Sequence, residues 1–342
     1  MAVRANMPMV RRWLAALLAL APALLLWGCS GADYPQSTLH PHSDFAWDIQ
    51  HLLESIVFWV ILIFVVVEVA LIVAVIRYRA RPNSPEPKQL HGHTGLEIGW
   101  TIAPAIILAF IAVPTVLTIF KTQGAAPPGA LQVKVVGHQW WWEFQYPEYG
   151  IVTASELHVP VDRPVEFQLQ TADVIHSFWV PAMGGKRDVV PAHVNRLWFT
   201  PQKTGEYLGQ CAELCGTSHA NMRMKLIVGT ADEFQAWVAH QQSAPAEPDS
   251  ASLAAQGKNV FMQVGCVACH TIQGVSPGVL GPNLTHVGSR TTLAGAMFEN
   301  NTENLGKWIA DPPARKPGAL MTKLGLTPDQ VAAVVAYLQS LK

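Results

Sequence analysis

Charge is scarce in this chain of 342 residues: Asp, Glu, Lys and Arg make up 14% of it, with a formal net charge of -1. A field that weak argues against a nucleic-acid partner, and the low charge content is unusual for a soluble protein. Cysteine is also sparse. Of five, Cys29 stands alone and the rest form two close pairs, Cys211/Cys215 and Cys266/Cys269. Four cysteines could in principle form two disulfides. Their histidine and methionine neighbours point instead to metal and haem chemistry.

What the chain has in excess is apolar sequence, 50% of all residues, concentrated in a few segments. Arg11 and Arg12 precede the apolar run Trp13 to Trp27, which ends at Gly28-Cys29-Ser30. This order predicts a signal peptide over 1–28, with Cys29 as a lipoprotein-type acylation site. Trp27 fits that site awkwardly, and an ordinary export signal or an uncleaved anchor is the alternative. After an external segment over 29–50, Ser55 to Ile76 is apolar apart from Glu68, and Ile98 to Phe120 carries no charge. Each is about the ~20 residues a membrane-crossing helix needs. Arg77, Arg79, Arg81 and Lys88 lie between them, which puts that loop in the cytoplasm and both large termini outside. A transmembrane hairpin over 51–121 follows. Pro104 and Pro114 would bend its second helix unless neighbouring helices re-satisfy the backbone. Glu68 is costly in lipid and suggests a protein partner. The hairpin reads as part of a larger membrane complex, with a simple anchor as the alternative.

From 130 to 242 the texture changes to short β-type runs separated by Pro, Gly and Asp, the pattern of a β-sandwich or barrel. A Pro/Ser/Ala-rich connector over 243–252 leads to a helical domain over 253–342. In its last segment Thr327 is placed to cap a helix with Pro328 at the first position.

The β region carries Cys211-Ala-Glu213-Leu-Cys215-Gly-Thr-Ser-His219-Ala-Asn-Met222. Thiolate and thioether donors favour copper over hard cations, and His176 is the best additional ligand. Two cysteines allow two bridging thiolates and hence a pair of coppers. A tetrahedral zinc on Cys211, Cys215, His219 and His176 is the competing arrangement, and a disulfide a third, but neither uses Met222. In the helical domain Cys266-Val-Ala-Cys269-His270 has the spacing of a c-type haem attachment site. His270 is then one axial ligand and Met321, in the loop before the last helix, the leading candidate for the other. Met297 and His286 are the alternatives. The loop Leu280-Gly-Pro282-Asn-Leu284 resembles the c-type cytochrome segment whose proline carbonyl accepts from the haem histidine. That would make Pro282 the partner of the His270 ring; shaping a turn is its alternative role.

These motifs, with Leu96-Glu97-Ile-Gly-Trp100, Gly137-His-Gln-Trp140-Trp-Trp-Glu-Phe-Gln-Tyr146, His176-Ser-Phe-Trp-Val-Pro181 and Lys186-Arg-Asp188, make the chain resemble subunit II of haem–copper cytochrome c oxidases. The likeness is to the bacterial caa-type form with a fused C-terminal cytochrome c domain. It implies a multidomain fold: a two-helix transmembrane hairpin, a cupredoxin-like β-sandwich and an all-α class I cytochrome c domain. His176, Cys211, Cys215, His219 and Met222 match ligands of a dinuclear copper A centre, two coppers in all. Glu213 matches the residue whose carbonyl ligates copper and whose carboxylate helps hold a Mg or Mn ion shared with subunit I. Trp140 matches an exposed tryptophan through which electrons enter, and Glu97 the entrance of a proton pathway in subunit I. One covalent haem c completes the cofactors.

The resemblance further implies a place in the bacterial inner membrane, with subunit I and subunit III as partners and a c-type cytochrome or bc-type complex as donor. Electrons would pass from haem c to copper A and on to haem a of subunit I, where oxygen becomes water and protons are translocated. Nothing in this chain reduces oxygen unaided. The rivals are the electron-transfer subunit of another respiratory reductase and a membrane-tethered redox carrier.

Overall fold

The computed structural model describes residues 34–79, 86, 89 and 91–342. The expected signal peptide, Cys29, Arg81 and Lys88 lie outside the described residues. Two long helices come first, α1 over Asp44–Tyr78 and α2 over Thr94–Gln123. Both extend beyond the apolar segments read from the sequence, because polar caps carry them further. The Ser43 hydroxyl accepts from the Ala46 amide at 3.1 Å, and the His93 ring accepts from the Leu96 amide at 3.2 Å. Both helices are long and apolar enough to cross a membrane. They touch through rings such as Trp59 and Phe110, stacked with centroids 5.8 Å apart. α2 continues as one helix through Pro104 and Pro114.

The start of α1 and the end of α2 are fastened together and to the β domain. Lys121 Nζ meets Asp48 Oδ1 at 2.7 Å between the helices. The Ser43 hydroxyl donates to the Met183 carbonyl at 2.7 Å, and the Asp44 carboxylate accepts from the Thr200 amide at 2.7 Å. The Trp198 indole donates to the Gly124 carbonyl at 3.0 Å. Arg77, Arg79 and Glu97 therefore sit at the opposite end of the hairpin from the β domain.

That domain is a sandwich of two five-stranded sheets. One holds β1 (Leu131–His138), β2 (Trp141–Tyr146), β3 (Ile151–Ala154), β5 (Val165–Thr171) and β8 (Asn195–Phe199), in the order β3-β2-β1-β5-β8. The other holds β4 (Glu156–Pro160), β6 (His176–Trp179), β7 (Arg187–Val189), β9 (Gly205–Cys211) and β10 (Arg223–Gly229), in the order β4-β10-β9-β6-β7. Alternate residues face inward, so Leu131, Val133 and Val135 of β1 meet Trp142, Phe144 and Tyr146 of β2 in a shared core. Helix α3 (Ala231–Gln242), closed by a Thr230/Glu233 capping box, lays Phe234 and Val238 on that core.

The C-terminal domain has its own core, built from α4 (Leu253–Gln263), α5 (Thr302–Ala310), the short α6 (Pro312–Arg315) and α7 (Pro328–Ser340). α4 crosses α7 at Gly257, where a Cβ would lie 1.9 Å from the Ala333 carbonyl. Only glycine permits that approach. Thr327 and Gln330 form a capping box at the start of α7, with Pro328 in its first turn.

Candidate metal centre and haem site

β9 ends on Cys211 and β10 begins at Arg223, so the loop 212–222 hangs from two antiparallel strands. The Cys211 amide donates to the Met222 carbonyl at 2.9 Å and closes the mouth of that loop. β6 lies beside β9, with Phe178 opposite Cys211, which brings His176 into the same corner. The Cys211 and Cys215 sulfurs are 3.8 Å apart, and both are free thiols. A disulfide needs about 2 Å.

The other donors divide between the two sulfurs. His176 Nδ1 lies 3.9 Å and the Glu213 carbonyl 3.2 Å from the Cys211 sulfur. His219 Nδ1 lies 3.6 Å and the Met222 sulfur 3.9 Å from the Cys215 sulfur. Four donors flank a buried sulfur pair, six in all, a set suited to soft transition metals. The Cys215 thiol hydrogen-bonds Cys211 and, against the penalty of burial and with help from His176, holds the Cys211 thiol well below its ordinary range. Cys215 is pushed the other way by its anionic neighbour and by burial. The pair thus holds one negative charge easily and a second only when a cation compensates it. His176 is aimed by Asp173, whose Oδ1 lies 2.7 Å from Nε2, leaving Nδ1 turned toward the sulfurs.

In the C-terminal domain Cys266 opens a single helical turn, and Cys269 and His270 follow it. His270 Nδ1 lies 2.9 Å from the Pro282 carbonyl. At Gly281 a Cβ would come within 2.6 Å of the His270 ring. Val279, Leu280 and Leu320, beside Gly281 and Met321 in the chain, are large apolar side chains exposed at the surface. These exposed apolar side chains, with the free Cys266 and Cys269 thiols beside the His270 ring, fit a haem. His286 instead lies against His240, ring centroids 4.9 Å apart, at the junction of the two domains.

Trp140 departs from the expectation of an exposed tryptophan: it is 7% exposed. The C-terminal domain covers it. A Cβ at Gly318, in the loop leading to Met321, would lie 2.7 Å from the indole, and one at Gly216 in the metal loop 3.1 Å from it. The ring is held between these two glycines, and its Nε1 donates to the Cys215 carbonyl at 3.1 Å. The Gln139 amide side chain donates to the same carbonyl at 2.7 Å. Of its neighbours, Trp142 is buried in the sandwich and Trp141 stacks on His138 at 4.2 Å.

Sequence reasoning missed the residues that make this contact. Lys316 Nζ donates to the Trp140 carbonyl at 2.6 Å and to the Ala294 carbonyl at 2.8 Å. Glu156 Oε1 accepts from the amides and hydroxyls of both Thr291 and Thr292 at 2.7–2.9 Å. The available signal was slight: a glutamate opening β4 on the face opposite the core residues Leu157 and Val159. Glu97 lies in the first turn of α2 and its carboxylate accepts from the His93 amide at 3.3 Å.

Three family descriptions match successive parts of the chain. They are the transmembrane domain of cytochrome c oxidase subunit II over 39–118, its periplasmic domain over 150–229, and cytochrome c over 254–342. Cytochrome c oxidase subunit 2 of Alkalihalophilus pseudofirmus is 40% identical over 327 residues, covering 93% of this chain and 94% of the relative. That of Bacillus subtilis strain 168 is 37% identical over 358 residues, covering 98% and 99%. A solved periplasmic domain of subunit II from Bradyrhizobium japonicum is 36% identical, covers 34% of this chain and 97% of that one, and superposes with a TM-score of 0.34. The chain belongs to the cytochrome c oxidase subunit 2 family, electron-input subunits of haem–copper oxidases, in the form that ends in a cytochrome c domain.

Proposed function

We propose that this subunit takes in electrons at its C-terminal domain and passes them by way of Trp140 to the Cys211/Cys215 site, for delivery to subunit I. Cys266 and Cys269 would attach one haem c, with His270 and Met321 as axial ligands and Pro282 orienting the His270 ring. His176, Cys211, Glu213 through its carbonyl, Cys215, His219 and Met222 would hold two coppers. Bound there, the two centres supply one-electron redox chemistry. The protein's part would be to keep it fast: a rigid sandwich that holds both thiolates in place would limit bond rearrangement, and Asp173 fixes the His176 imidazole. Trp140 spans the interval, touching Gly318 on the haem side and bonding the Cys215 carbonyl on the copper side. That single placement carries the proposal.

The further assignments follow from position. Both ends of the hairpin that meet the β domain lie on one side, opposite Arg77 and Arg79, which supports an external location for both large domains. Glu97, at the other end, would serve proton entry on the cytoplasmic side. The Glu213 carboxylate is proposed to share a Mg or Mn ion with subunit I. Subunit III and a c-type cytochrome or bc-type donor are the expected further partners.

Metal and haem analysis of the purified complex tests the reading. Two coppers and one haem c per chain are expected, and Cys215→Ser should lose the copper signal while keeping the haem spectrum. One zinc and no copper at full occupancy would end it.

A further inference from the structure

Trp140 is the residue on which an external donor would have to land to reach the copper site directly, and here it is covered. The cover is held by two buried polar side chains, Lys316 and Glu156, 4% and 3% exposed. Each works across the domain boundary. Lys316 ties the Ala294 carbonyl of its own domain to the Trp140 carbonyl. Glu156, on β4 of the sandwich, receives the two consecutive threonines that lead into the same 291–297 segment. Around them the Ser218 hydroxyl donates to the Pro317 carbonyl at 2.6 Å, the Arg223 amide to the Gly295 carbonyl at 3.1 Å, and Lys225 Nζ to the Thr291 hydroxyl at 2.9 Å.

Buried charges contribute little net affinity, because desolvation offsets their attraction. What they enforce is register. Any other seating of the two domains leaves Lys316 or Glu156 buried without its partners, which is strongly unfavourable. Gly295 and Gly318, at φ +78° and +82°, complete the fit: a Cβ at the first would lie 2.8 Å from the Trp140 carbonyl oxygen and at the second 2.7 Å from its ring. Neither glycine is explained by haem binding alone.

We propose that Lys316 and Glu156 are positioning residues that set the register in which the C-terminal domain covers Trp140, so that in this seating an external donor meets the haem domain rather than the copper site. This rests on the electron route proposed above. No bond would be made or broken: the bound centres would supply one-electron chemistry, and Lys316 and Glu156 would hold the two domains in register for it.

The test uses the whole oxidase complex carrying Lys316→Met or Glu156→Gln, with haem absorbance and copper content confirming that each variant is folded and loaded. Hydrogen exchange at the Thr291, Thr292 and Arg223 amides reads the seating, independently of turnover. Photoreduced soluble cytochrome c then reads which centre is reduced first. In the unmodified protein the haem should be reduced first and copper only after it. In the variants exchange should rise roughly ten-fold or more, haem-to-copper transfer should slow, and a direct phase of copper reduction should appear. Unchanged exchange, exchange that rises with no effect on transfer, or direct copper reduction in the unmodified protein would each overturn the proposal. If haem never passes electrons to copper even though exchange responds as expected, the electron route fails while the seating stands.

Discussion

The indole nitrogen of Trp140 donates to the backbone carbonyl of Cys215 at 3.1 Å, so the aromatic ring beneath the haem domain is hydrogen-bonded to the backbone of a copper-site cysteine. Trp140→Phe keeps the ring and removes that bond. Haem-to-copper transfer should slow by roughly ten-fold, the scale of one hydrogen bond's contribution. Copper and haem contents should not change. Transient absorption after photoreduction checks this, and an unchanged rate would place the route elsewhere.

Asp173 carries a separate prediction. Burial favours its neutral form, but the bond with His176 and the Gln139 and Val174 amides prevail and hold the carboxyl below its usual range. Asp173→Asn keeps the size and alters the partner of His176. Copper affinity should fall by about 10–100-fold, as for other groups that orient a ligating histidine. A competition titration with a copper chelator reads it.

Acid should weaken the sandwich through His158. Burial, and then the nearby Arg290, push this imidazole down to about 3, and it lies stacked on Trp237 with centroids 4.5 Å apart. The unfolded chain binds a proton there near pH 6.5 and the folded one does not. Stability is therefore complete above about pH 6.5 and falls as pH drops toward 3, by up to ~1.4 kcal/mol per pH unit. His158→Gln should flatten that slope in thermal unfolding of the complex between pH 4 and 7.

Two glycines of the C-terminal domain should respond in opposite ways to alanine. At Gly257 the new methyl meets the Ala333 backbone, so Gly257→Ala should destabilise the domain by about 1–3 kcal/mol or more. Gly306, inside α5, has only ordinary contacts near 3.7 Å, so Gly306→Ala should stabilise it by ~0.5–1 kcal/mol. Thermal melts followed at the haem absorbance distinguish the two.

The parts of this molecule legible in the sequence are those whose chemistry is local. Cys211, Cys215, His219 and Met222 share one loop, and Cys266, Cys269 and His270 share one turn, so spacing alone displays their geometry. The His270–Pro282 bond was legible only through the likeness of its loop to that of c-type cytochromes. The seating of one domain on the other was not. Glu156 meets Thr291 across 135 residues and Lys316 meets Trp140 across 176, and no periodicity encodes such a contact. Trp140 was misjudged as exposed on that account: the residues that cover it belong to another domain. The helix ends were underestimated because hydropathy stops where lipid would, whereas Ser43 and His93 cap the helices beyond it.

The most direct test of the whole account is electron spin resonance on the oxidised, purified complex, read beside its copper content. Two coppers per chain and hyperfine splitting from one electron shared equally over both nuclei are expected. A signal from a single copper, or a silent site filled with zinc, would contradict it.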